Sequence, residues 1–225
     1  MPHGCFISYK KEDKEKGYLN LIVDKLKGFD IPCSYLDKSI ESDNIDTVIS
    51  VLRQKYMNNK PVTLFLIGRN SFEDTKEKWE RTYGKYTMHN EYNEQSFIIR
   101  ELRATLSDRD GNPRHGVVGI VLPEVENSIY GGEKICPHCG EKYNIVNIND
   151  NTVIREFSAN YYLVHDEECN NHYSYDGRYC ILCKLNEFLE SPKKYINEAY
   201  EKSQSKLADY VHYMDIKHDY KLRDE

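Results

Sequence analysis

Short apolar runs alternating with segments of helical period constrain this chain more than any other feature of it. Residues 4–9 (GCFISY), 31–36 (IPCSYL), 62–68 (VTLFLIG) and 116–122 (GVVGIVL) read as strands. The last two are continuously apolar, as expected of strands covered on both faces. Between the runs lie helical periods. Residues 14–27 carry Tyr18, Leu19, Ile22, Val23 and Leu26 on one face, and residues 43–57 carry Ile45, Val48, Ile49, Leu52 and Tyr56. Asp43 or Asn44 stands where that second helix needs an N-cap. Residues 94–106 return to helical period through Phe97, Ile98, Leu102 and Leu106. Such alternation predicts a parallel sheet with helices on both faces.

Two stretches break the pattern. Residues 70–93 are polar and aromatic, too long for an ordinary strand-to-helix loop, and are expected to be functional or partly helical. Residues 130–176 are rich in Asn, Asp, Glu, Cys and His without a sustained period. Order resumes with a fifth strand at 179–185 (YCILCKL). Ser191-Pro192 then opens a helix through Tyr195, Ile196, Ala199 and Tyr200. The expectation is a single α/β domain over 1–225, with a five-stranded sheet of order 2-1-3-4-5 and residues 130–176 inserted before its last strand.

Composition narrows the function classes. A chain of 225 residues with 39% apolar and 30% charged residues holds no run near the roughly 20 apolar residues of a spanning helix, which argues against a membrane protein. The 19 Tyr and 7 Phe supply core material that a disordered chain would lack. A net charge of −6 opposes phosphate-driven binding to nucleic acid. The opening MPHGCFISYKKED has no apolar leader, and seven cysteines make an odd set; both point to a reducing, cytoplasmic setting with thiols or a metal site.

In a sheet of this order, ligands bind beyond the carboxyl ends of the strands, where the winding reverses between the first and third. Ser8, Tyr9 and Lys10 stand at the first exit, and Gly68, Arg69, Asn70 and Ser71 at the third. The following helix borders the same crevice. It carries Glu101 four residues after Phe97, hence on the same face and beside an apolar stripe. Lys10, Lys38 and Arg69 could meet phosphates near the strand ends, with ordinary surface cations as the alternative, and no Gly-x-Gly-x-x-Gly or Walker fingerprint is present.

Cys136-Pro137-His138-Cys139-Gly140 has the spacing and turn of a zinc knuckle. Two pairs can complete it: Cys169 with His172, or Cys180 with Cys183. The first is preferred, because residues three apart in a strand point to opposite faces. His165 and His138 are held in reserve, and a reduced loop without metal is the alternative. Structural zinc would order an insertion with no core of its own. Cys5 and Cys33 read as small core residues.

Five segments resemble Toll/interleukin-1 receptor (TIR) domains. Phe6-Ile7-Ser8-Tyr9 with Asp13 resembles their opening strand and loop, and Leu66-Ile67-Gly68-Arg69-Asn70-Ser71 their third strand and its exit. Ser96-Phe97-Ile98-Ile99-Arg100-Glu101-Leu102 resembles their Ser-x-Trp-x-x-x-Glu helix, with Phe97 in place of Trp, and Gly119-Ile120-Val121-Leu122-Pro123 their fourth strand. The ending Glu187-Phe188-Leu189, Pro192, Lys194-Tyr195-Ile196 is similar to tails of bacterial TIR-like proteins of Thoeris antiphage systems. This resemblance implies a flavodoxin-like TIR fold and cleavage of the nicotinamide–ribose bond of NAD. Glu101 would be catalytic, Phe97 part of the wall, and Ser8, Tyr9, Lys10, Asp37, Asn70 and Ser71 would lie around the substrate.

The same resemblance implies self-association and gating through residues 37–42, and an ADP-ribose-derived signal read by a separate effector protein. A TIR adaptor acting by protein contacts alone is the alternative. A phosphorylated receiver is disfavoured, because the third strand ends Leu66-Ile67-Gly68-Arg69 with no aspartate.

Overall fold

The computed structural model describes residues 2–10, 17–37, 40, 42, 44–69, 71, 78–82, 85–89, 97–108, 113–149, 152–164, 169 and 176–212; for 45, 78–82, 85–89 and 97 it describes the backbone alone. Asn70, Lys38 and His172 therefore lie outside the described residues, as does the side chain of Phe97.

The apolar runs form the strands. β1 (Cys5–Ser8), β2 (Cys33–Tyr35), β3 (Val62–Ile67), β6 (Gly116–Val121) and β9 (Ile181–Lys184) make one sheet in the order β2-β1-β3-β6-β9, every neighbouring pair parallel. Counting only these five strands, the order is the expected 2-1-3-4-5 of a flavodoxin-like α/β fold. β3 and β6 are buried along their whole length, which explains their unbroken apolar sequence.

Helices cover both faces. Cys5 and Ile7, Val62, Leu64 and Leu66, Val118 and Ile120 form one core with α1 (Tyr18–Gly28), α6 (Leu185–Glu190) and α7 (Pro192–Gln204). Alternate residues point the other way, as the pleat requires. Phe6 packs against α2 (Ile45–Val51) and the π-helical turn Leu52–Met57 that continues it. Phe65, Ile67, Val117 and Val121 pack against α3 (Phe97–Leu106) and the insertion.

The boundaries differ from expectation where a backbone feature intervenes. α1 starts at Tyr18, because Gly17 sits at φ 79, a left-handed conformation that a right-handed helix cannot pass through. Asn44 is the cap of α2 and accepts from Thr47 N at 3.2 Å. Ser191 holds the N-cap position of α7 with Pro192 behind it, yet its side chain makes no capping bond.

The two irregular stretches contain hairpins. β4 (Lys78–Thr82) pairs antiparallel with β5 (Lys85–His89), so the partly helical expectation for 70–93 is corrected to strand over these residues. A short helix, α4 (Glu126–Ile129), leads into β7 (Tyr130–Ile135), which pairs with β8 (Lys142–Val146), and another short helix, α5 (Arg155–Ser158), follows. The insertion is not a free appendage. Val153, Ile154, Phe157 and Tyr161 are core residues against α3, and Phe157 lies on the bare backbone of Gly119. Among the described residues, no helix is long and apolar enough to cross a membrane.

Candidate functional site

The position of Glu101 follows from the register of α3 on the sheet. Thr105 Oγ1 donates to Glu101 O at 2.9 Å and meets Thr63 Oγ1 at 2.9 Å, which fixes Thr105 level with the second residue of β3. Four helical residues earlier is about 6 Å. Two residues further along β3 is about 6.6 Å, which brings Glu101 level with Phe65. Phe65 pairs with Ser8, the last residue of β1. The helix thus runs against the strands and sets Glu101 at the carboxyl end of β1, beside Ser8.

Both groups are buried, Glu101 at 4% exposure and Ser8 at 0%. Among the described residues neither Glu101 Oε2 nor Ser8 Oγ has a hydrogen-bond partner. Native structures rarely leave two such atoms together, and each orphaned group costs about 1–3 kcal/mol. Burial pushes the Glu101 carboxyl up to about 8. The Ser8 hydroxyl eases its ionisation without reaching a well-formed hydrogen bond. A buried, protonated carboxyl next to an unengaged hydroxyl marks this strand exit as a candidate functional site.

The remaining residues expected near the substrate divide. Tyr9 is half-buried and donates to Leu36 O at 3.2 Å, tying the exit of β1 to that of β2; its ring meets Tyr35 edge-on. Lys10 is half-buried and Asp37 exposed. Ser71 is fully buried, and its hydroxyl is engaged locally: it accepts from Gly68 N at 2.7 Å and faces Leu66 O at 3.4 Å. Ser71 therefore shapes the exit turn of β3. Arg69 beside it is exposed.

Sequence reading passed over three arginines that matter to this helix. Arg100 is buried, and its Nη1 points at Ser42 O at 3.4 Å, joining α3 to the segment after β2. Arg103 pairs with Glu156 of α5 at 2.8 Å, both buried. Arg53, from the π-helical turn, donates to the carbonyls of Ala104, Ser107 and Pro113, closing the carboxyl end of α3. The signal was the polar residues of α3 itself. Arg100, Glu101, Arg103 and Thr105 are all buried: Arg103 meets the insertion, Arg100 the segment after β2, and Glu101 and Thr105 the sheet.

A second cluster lies in the insertion. The sulfurs of Cys136, Cys139 and Cys169 all fall within 4.8 Å of one another, and together could hold a metal ion. Cys136 Sγ and Cys169 Sγ are 3.6 Å apart. The knuckle has the backbone its sequence implies. Gly140 takes φ 76, its N–H donates to Cys136 O at 2.9 Å, and Cys136 N donates to Glu141 O at 2.8 Å. The N–H groups of Cys139 and His138 beside Cys136 Sγ pull its thiol below the ordinary range. Cys180 and Cys183 stay in the main cores, and His138 offers no ligand atom to the group. His165, like His172, lies outside the described residues. No protein-family model matches the chain, and no curated protein matches it.

Proposed function

We propose that the chain is a TIR-type enzyme that cleaves the nicotinamide–ribose bond of NAD and releases an ADP-ribose-derived signal. One observation carries the reading: Glu101 and Ser8, buried side by side at the carboxyl end of β1, each present a polar atom with no hydrogen-bond partner among the described residues.

The chemistry asks for little more than such a pair. Nicotinamide is cationic in NAD and leaves neutral, so no general acid is needed. As the bond lengthens, positive charge gathers on the ribose, and a carboxylate beside it stabilises that charge. Ribose hydroxyls donating to Glu101, with Ser8 Oγ as a second partner, would satisfy both orphaned groups and orient the sugar. The arriving cation also favours ionisation of Glu101, so the substrate helps generate the carboxylate that acts on it. Attack by water gives ADP-ribose. Attack by the adenine of the same molecule gives a cyclic isomer, and attack by another small molecule gives a conjugate.

The resemblance adds a setting: bacterial antiviral defence in the cytoplasm, self-association through TIR surfaces including residues 37–42, and an effector protein that reads the product. Asp37, Lys10, Tyr9 and Asn70 are assigned to substrate on that basis, and Phe97 to the wall. Zinc in this reading is structural, held by Cys136, Cys139, Cys169 and His172, and no step of the chemistry passes through it.

Nicotinamide release from NAD by the purified chain, followed by chromatography beside Glu101→Gln, tests the proposal. Wild type is expected to release it and the variant to fall by roughly a hundredfold or more, the scale on which lost electrostatic stabilisation is felt. A folded wild type that leaves NAD intact, alone and with lysate of infected cells as activator, sinks the enzyme reading in favour of an adaptor.

A further inference from the structure

We propose that Cys136, Cys139 and Cys169 bind one zinc ion in a closed tetrahedral site whose role is to clamp residues 130–176 onto α3, the helix that carries Glu101. The spacing of the sulfurs comes first. A disulfide would bring two of them to about 2.05 Å. Tetrahedral zinc with Zn–S bonds near 2.3 Å puts its sulfurs about 3.8 Å apart. The 3.6 Å between Cys136 and Cys169 matches the second arrangement.

The hairpin that presents the knuckle supplies the second observation. β7 is exposed from Gly131 to Ile135, Ile135 itself at 64%, so beyond its base, where Tyr130 and Val146 pack on the core, the strand pair has little apolar contact to hold it. Two-stranded hairpins of that kind are marginal in water. Its tip is nonetheless ordered by the knuckle turn and brought against Cys169, thirty-three residues further along the chain. A metal bound by both segments would supply the missing energy, since binding free energy of structural zinc is folding free energy. Three thiolates favour zinc over the hard cations.

What the clamp would hold is visible in the packing. Between the knuckle and Cys169 the chain lays Ile148, Val153, Ile154, Phe157 and Tyr161 into the core around α3. Glu156 from the same segment pairs with Arg103, two residues from Glu101. Opening the thiolate site therefore frees both ends of the segment that buries the outer face of α3. The inference rests on the cysteines and the packing, and needs no NAD chemistry.

Elemental analysis and hydrogen exchange on the full chain test it. Protein from zinc-replete cells is expected to carry about one zinc per chain, and Cys139→Ser, at the most exposed of the three thiols, less than about a fifth of that. Cobalt in place of zinc should give the intense visible bands of a tetrahedral thiolate site. Removing zinc from wild type with a chelator should speed amide exchange about tenfold or more in both Arg155–Ser158 and Phe97–Leu106. Wild type with no zinc and no cobalt bands overturns the site. Faster exchange confined to Tyr130–Val146, with α3 unchanged, overturns the clamp. A chain that passes every one of these measurements but leaves NAD intact, alone and with lysate of infected cells, keeps the clamp and loses the enzyme.

Discussion

In the proposed reaction Glu101 is the residue on which the chemistry turns, and its environment gives that proposal a pH dependence. In the free protein its carboxyl is raised to about 8 by burial, so below that pH the group is mainly protonated. A carboxylate is what the developing ribose cation needs. The pH profile of kcat/KM reports ionisations of the free enzyme. It should therefore climb about tenfold per pH unit below about 8 and then level off. The kcat profile should break at a lower pH, because the bound nicotinamide cation favours the ionised form. A kcat/KM flat from pH 6 to 9 would separate Glu101 from the rate. In the sequence, the burial of this acid was legible, since its place beside Phe97, Ile98 and Leu102 puts it at the edge of an apolar stripe. That Ser8 is its neighbour was legible only as a position at a strand exit. Their side-by-side burial depends on the Thr63–Thr105 register, which no local pattern encodes.

At the scale of elements, close approach of backbones decides which changes the sheet tolerates. A Cβ on Gly116 would stand 2.0 Å from Ala199 O, a backbone atom of α7 that cannot turn aside. On Gly119 it would stand 2.5 Å from Phe157 Cζ and 2.9 Å from Ile67 Cδ1, both side-chain atoms able to shift. Gly116→Ala is accordingly the costlier change. About 2–3 kcal/mol or more is expected, against roughly 1–2 kcal/mol for Gly119→Ala, readable as a lower denaturation midpoint at unchanged slope. Equal midpoints would mean that α7 yields as easily as Phe157. The five sheet strands and their order were readable because buried parallel strands need unbroken apolar runs and their crossovers need helical period. The hairpins were not. β7 is exposed from Gly131 on and shows no alternation, while β8 alternates exposed Lys142 and Asn144 with half-buried Tyr143 and Ile145 over too few residues to stand out. The insertion's contribution to the core escaped notice for a related reason: Phe157 and Tyr161 lie in a segment too short for a period to emerge.

For the molecule as a whole, two buried titratable groups on the α3 side of the sheet pull stability in opposite directions with pH. Glu101 binds its proton more tightly folded, about 8 against an ordinary 4.5. Between those values the folded state holds the extra proton, so stability falls as pH rises and the loss is complete above about 8. His115 is the reverse. Burial, aided by the nearby Arg53 charge, lowers it from 6.5 to about 3, so between those values the unfolded state holds the extra proton and stability rises with pH. The two slopes oppose each other between 4.5 and 6.5, where these groups leave a plateau. Acid below the plateau destabilises through His115, and base above it through Glu101 alone. Denaturant melts at intervals from pH 4 to 9 should show that shape for wild type. Glu101→Gln should remove only the decline on the basic side, making the variant more stable than wild type at pH 9, on the order of a few kcal/mol. The same substitution would thus stabilise the fold while abolishing nicotinamide release, as expected where an active site is held in an unfavourable state for its chemistry. A variant no more stable than wild type at pH 9 would mean that the buried carboxylate is already satisfied, and the motive for placing a ribose against it would disappear.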